Sequence, residues 1–220
     1  MEKLWKSTKK ITMFLIGMAI IQFGVALFIK TNIGSDPFTV FTQGIANSLN
    51  ALGMSISTGS ANRIILVVLF LTILIVNKSH IKIGTLICVI GIGPIIDMGI
   101  YLVSNLPIES YSYIIRMILV AGGCFLIAIG FSILSSTNVG VAPNDIIPFV
   151  IKEKINFEYK YIRIVLDALF LAVGYFLGGT VGVGTIIAMF STGPFIQMCL
   201  PYGQKLVDFI VMENLDFSKA

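Results

Sequence analysis

The groups in this sequence able to do acid–base, metal or nucleophilic chemistry are few: 11 carboxylates, one histidine and three cysteines in 220 residues. Cys88, Cys124 and Cys199 stand far apart within apolar runs, with no C-x-x-C or Cys/His grouping. They read as packed thiols rather than as a metal or redox centre. His80 lies in a short basic turn, a solvated position. No Ser/His pair, paired acids or ligand set points to an enzyme, so no catalytic residue, metal or cofactor is expected. What remains is a set of acids, amides and arginines in or beside apolar runs. Asp97 leads it, because an acid inside a spanning helix costs roughly 3 kcal/mol unless paired, protonated or wet. It reads either as a proton- or cation-linked residue or as a carboxylate held by a neighbouring helix's hydroxyl or amide. Asp97 stands three residues beyond Gly93-Pro94, and Gln197 stands at the same distance beyond Gly193-Pro194.

The second group is charged pairs. Asp167 is one helical turn from Arg163, a spacing that lets them bond. Arg63 is placed to meet Asp36, and Arg163 to meet Asp145 or Asp167. Such pairs serve either as latches opening on opposite faces in turn or as static anchors of helix ends. Asn32 and Asn138 complete the candidates, as groups that satisfy backbone where a helix stops.

The elements that position these residues come in two copies. Thr31-Asn32-Ile33-Gly34-Ser35-Asp36-Pro37 recurs as Thr137-Asn138-Val139-Gly140-Val141-Ala142-Pro143, 106 positions later. Upstream, Gly17 and Gly24 overlie Gly123 and Gly130 at the same offset. After a shorter connector the offset becomes 100, matching Arg63 with Arg163, Gly84-Thr85 with Gly184-Thr185, and Gly93-Pro94 with Gly193-Pro194. General apolarity would not repeat Asn, Arg, Gly and Pro in order, so this is an internal duplication. Each Thr-Asn stretch ends an apolar run, since Asn and Gly accept left-handed backbone and Pro37 turns Asp36 away from helix. Pro37 suits the first turn of a new helix, with Ser35 or Asp36 as cap. At Pro94 and Pro194 a proline frees a carbonyl one turn earlier, so the helix is expected to break and offer it to a side chain, water or ligand; a plain packing kink is the alternative.

Composition sets the medium. The chain is 56% hydrophobic and 12% charged, against roughly 25% charged in soluble proteins. Apolar runs near the ~20 residues of a membrane span cover 11–29, 62–77, 83–103, 113–135, 160–178 and 183–200. The first is too long for a signal-peptide core and has a copy mid-chain, so it reads as a helix that stays. Phe38–Ala51 and Asn144–Ile155 are too polar or too short to span and read as re-entrant or interfacial helices. The expected fold is therefore an all-α polytopic membrane protein, one membrane domain over 1–220. It holds two inverted repeats (11–103 and 113–200) of three spans each and an amphipathic inner tail over 203–220. With the N-terminus inside, Lys3, Lys6, Lys9, Lys10, Lys78, Lys82, Lys152, Lys154, Lys160, Arg163, Lys205 and Lys219 fall inside, and Lys30, Arg63 and Arg116 outside. That is the bias of an inner-membrane protein with both termini cytoplasmic. It leaves the net charge of +4 no role in nucleic-acid binding.

Thr31–Pro37, Gly93-Pro94 and Asn138-Val139-Gly140-Val141-Ala142-Pro143-Asn144-Asp145 resemble the YczE/YyaS/YitT group of bacterial integral membrane proteins over roughly residues 10–200. The resemblance implies a multi-pass bacterial inner-membrane protein and assigns no residue a role. Paired helix interruptions in inverted repeats are the sequence mark of secondary transporters. The reading is thus a small permease-like transporter of a small solute, partnered by the lipid bilayer. The alternative is a non-transporting membrane protein that docks or regulates a protein partner, or pairs as a homodimer.

Overall fold

The computed structural model describes residues 2–155 and 159–212. Among them are eight α-helices and no strand: α1 Glu2–Thr31, α2 Pro37–Ala51, α3 Thr58–Val76, α4 Ile83–Ser104, α5 Tyr113–Ser136, α6 Pro143–Ile155, α7 Tyr159–Phe176 and α8 Val183–Met212. Short 3-10 turns, Lys78–His80 and Ile108–Ser110, lead into α4 and α5. Five helices (α1, α3, α4, α5 and α8) are long and apolar enough to cross a membrane. The run expected as a further span forms α7, which is not among these five, because Lys160, Arg163 and Asp167 put three charges in its 18 residues. Ile75 is 85% exposed, Phe176 84% and Phe190 76%, so the surface that these helices present suits lipid, not water.

Helix ends follow residue chemistry. Asn32 and Asn138 adopt φ of 51° and 56°, and Gly34 and Gly140 φ of 112° and 155°, the left-handed turn that stops α1 and α5. Pro37 opens α2, and the Asp36 side chain accepts a hydrogen bond from Thr39 N at 3.1 Å, capping it. Two expectations need correction. α4 and α8 run as unbroken helices through Pro94 and Pro194; a membrane helix tolerates proline where neighbours and small adjustments absorb the lost bond. Nor does Gly203 begin a separate tail: α8 continues to Met212, with Gly203 against Ser132 and with Val207 and Val211 buried beside Met13 and Ile133. The rest of the expected tail, 213–220 with Lys219, lies outside the described residues, as do the side chains of Lys3 and Lys160.

Packing is set by small residues, because lipid tails are as apolar as leucine and only close fit favours helix contact. α1 and α5 cross antiparallel through glycines: a Cβ on Gly17 would lie 2.7 Å from Gly130 O, and one on Gly24 2.7 Å from Gly123 O. α4 lies parallel to α1, Gly91 meeting Met18 and Gly99 meeting Ala26. α8 lies parallel to α5 through Phe125–Phe195 and Ser132–Gly203. The short helices pack crosswise. α2 runs alongside α7, from Phe38 on Phe170 to Asn47 bonded to Gly178 O. α6 runs alongside α3, from Ile146 against Ile73 to Glu153 bonded to Asn77. The largest core joins Phe14 and Met18 of α1 to Leu66 of α3 and to Cys88, Val89, Ile92 and Ile96 of α4.

Candidate functional site

Both Thr-Asn turns are held in the same way. Gly184 N donates to Ile33 O at 2.8 Å, and Gly84 N donates to Val139 O at 3.1 Å, so each turn is anchored by the start of a helix far along the chain. Each turn also receives a cation. Arg116 donates to Thr31 O at 2.7 Å and to Asn32 O at 3.0 Å, and Lys82 Nζ donates to Asn138 O at 3.3 Å. These are carbonyls that the end of a helix leaves without a donor. Asn32 and Asn138 thus act through left-handed backbone and carbonyl groups.

The turns launch α2 and α6, and near the start of α6 the charged candidates meet, half-buried. Arg163 Nη1 pairs with Asp145 Oδ1 at 3.2 Å, and Arg163 Nε pairs with Asp167 Oδ2 at 3.1 Å. Asn144 Nδ2 adds a bond to Asp145 Oδ1 at 3.2 Å. Asp36, at the head of α2, is within electrostatic reach of the same guanidinium and of Asp167. Its Oδ1 is engaged with Thr39, whereas its Oδ2 is buried without a hydrogen-bond partner among the described residues. Burial pushes the Asp36 carboxyl above its ordinary value, with the Thr39 hydrogen bonds and Arg163 opposing. Asp145 and Asp167 thus share one guanidinium. No group of three or more His, Cys, Asp and Glu placed for a metal ion occurs among the described residues. Arg63 is not brought to Asp36: it is exposed, with no ion pair among the described residues.

Asp97 has a different setting. Ser57 Oγ donates to Asp97 Oδ2 at 2.7 Å and Gly59 N donates to Oδ1 at 3.1 Å, so the carboxylate fastens the first turn of α3 to α4. That is the hydroxyl-and-amide arrangement the sequence left open. Gly93 is buried in the same contact, where a Cβ would collide with Gly59 O and come within 3.0 Å of Arg63 Cβ. Gly193, Pro194 and Gln197 are exposed on α8 and distant in kind from this: no described atom lies within 4 Å of a Cβ on Gly193.

Residues 8–201 match a family described as "Family of unknown function (DUF6198)". The chain belongs to this family. Similar to it are the "Uncharacterized membrane protein YczE" of Bacillus subtilis (strain 168), 26% identical over 95% of this chain and 94% of that protein, and the "Uncharacterized protein YyaS" of the same organism, 26% identical over 86% and 92%. An "Uncharacterized protein" of Haemophilus influenzae is 27% identical over 90% of this chain and 86% of its own length. The group read from the Thr-Asn motifs is thereby borne out, and so is a multi-pass membrane protein. No solved structure matches the chain.

In this DUF6198 member a groove of about 280 Å³ between α1, α4 and α5, lined by residues such as Phe23, Met98 and Leu102, lies apart from the charges. It is almost wholly apolar, a place for acyl chains rather than chemistry. Sequence reasoning missed Arg116 and Lys82 as turn anchors and Gly84 and Gly184 as donors. The repeated Gly-Thr pair was their only signal, and it pointed to no partner.

Proposed function

We propose that this protein is a small secondary transporter of the bacterial inner membrane, built as two inverted repeats, with its solute site where α2 and α6 begin. The observation that carries this is the ion pairing of Arg163 on α7 with Asp145 at the start of α6, with Asp36 at the start of α2 within electrostatic reach. Half-helices ending near mid-depth at charged groups are how secondary transporters build sites. Asp36, Asp145, Asp167 and Arg163 line this site. The inverted arrangement is supported by the antiparallel α1–α5 crossing, in which Gly17 meets Gly130 and Gly24 meets Gly123 although Gly17 corresponds to Gly123 and Gly24 to Gly130 in sequence. It is supported too by the reciprocal bonds of Ile33 with Gly184 and Val139 with Gly84. In this reading α7 is the sixth span, with Arg163 and Asp167 turned to the site, and both termini are cytoplasmic, an orientation that the 12 inner and 3 outer Lys and Arg support.

The test is uptake and efflux by purified protein in liposomes, across a panel of cationic, zwitterionic and anionic solutes, with and without a proton gradient. Movement of at least one solute, abolished in Arg163→Gln and Asp36→Asn proteins that still fold, is expected. Wild-type movement in both variants would remove the site. No movement of any solute, together with retention of a protein partner, would favour the docking role instead.

A further inference from the structure

We infer that α7 is the moving gate of this site and closes onto the open face of α8 that carries Gly193 and Gln197. The inference deepens the transport reading and rests on it for what the gate serves, though not for the motion itself.

α3 is docked on α4: Gly59 and Arg63 lie against Gly93, Asp97 ties the start of α3, and Val89 and Ile96 are 5% and 1% exposed. α7 corresponds to α3 and α8 to α4, yet no comparable packing of α7 on α8 occurs among the described residues. Met189, the counterpart of Val89, is 51% exposed, and the counterpart glycine, Gly193, faces open space among the described residues. α7 packs instead on α2 and α6. The two arginines differ in step with this. Arg63, on the docked helix, has no ion pair among the described residues, whereas Arg163, on the undocked helix, is tied to Asp145 of α6. An amide such as Gln197 facing lipid is a cost that helix contact relieves. Docking would bring Arg163 against Gly193, as Arg63 lies against Gly93, and would take its guanidinium off Asp145. A second copy seated on α8 is the competing occupant.

Nitroxide labels at matched exposed positions test this in liposomes, with the three native cysteines replaced by alanine. One pair is Ile64→Cys with Ile90→Cys, and the other Ile164→Cys with Phe190→Cys. The 64/90 pair is expected to give one short distance. The 164/190 pair is expected to give a longer distance and a minor one matching 64/90. Asp145→Asn, which cuts the tie of Arg163 to α6, should raise the minor fraction by about five-fold or more. Gly193→Leu should fold, its side chain entering open space, and lose the minor fraction. A single long 164/190 distance unchanged by Asp145→Asn overturns the gate. So do identical distributions in wild type and Gly193→Leu, a comparison that holds even if Asp145→Asn does not fold. A short distance that vanishes on dilution with unlabelled protein would make the face a seam between copies, which also overturns it. Closure without carriage of any solute would sink the transport reading and leave the gate. Carriage with α7 fixed would do the reverse.

Discussion

Asp36 has one oxygen bonded to Thr39 and one without a partner among the described residues, and its carboxyl is raised above the ordinary 3.8, chiefly by burial. The folded chain therefore binds this proton more tightly than the unfolded one. Its contribution to stability is full below pH 3.8 and falls as pH climbs through the raised value, leaving a buried carboxylate as a standing cost above it. Asp36→Asn keeps an acceptor for Thr39 N and removes that cost. Its melting temperature in detergent should exceed wild type by a few degrees near pH 8, the difference closing towards pH 4. A deficit at both pH values would show that the Arg163 attraction outweighs burial. Asp97 calls for the opposite outcome, because both its oxygens are bonded. Asp97→Ala should cost about 1–2 kcal/mol, the scale of a lost helix cap, and Gln197→Ala, on an exposed face, less than about 0.5 kcal/mol. Denaturant titration of both variants checks the contrast. The sequence placed Asp97 within a span but not beside Ser57, 40 positions away. A carboxylate's cost in lipid is legible from composition, whereas the donor that relieves it is a matter of folded proximity.

Helix ends were the most readable elements, since Asn and Gly at a stop and Asp-Pro at a start carry their backbone preference in the residue itself. Partner choice was not readable. Lipid and protein interior are equally apolar, so a spanning helix lacks the polar stripe that marks the outer face of a soluble one. That is why α2 beside α7 and α6 beside α3 emerge only from structure, and why Pro94 looked like a break when its helix runs on. The glycines record the partners by contrast in tolerance. Gly24→Val should place its Cβ 2.7 Å from Gly123 O and force α1 from α5. A loss of about 1–3 kcal/mol or more and a lower folded yield are expected. Gly122→Val, one residue from that crossing and facing open space among the described residues, should elute and melt as wild type. Similar behaviour of the two would refute the crossing.

Over the whole molecule, α4 joins the turn at 77–82 to the one at 105–112 through 22 residues, about 33 Å of helix. Single cysteines at Ser104 to Tyr111 should react with an impermeant thiol reagent from outside, and those at Lys78 to Lys82 only after permeabilisation. Labelling of both turns from one side of intact cells would end the six-span topology. The two anchored turns also bear on how the chain is made. Ile33 leaves the ribosome 151 residues before Gly184, whose amide binds its carbonyl. At typical synthesis rates that is a wait of roughly 8–30 s. The first half therefore enters the bilayer with its turn unlatched and α2 without α7, and the turn locks only when α8 arrives. Neither half is a finished folding unit. Cut within 105–112, each should be degraded when made alone and recover when both are made together, with the final helix as the keystone of assembly.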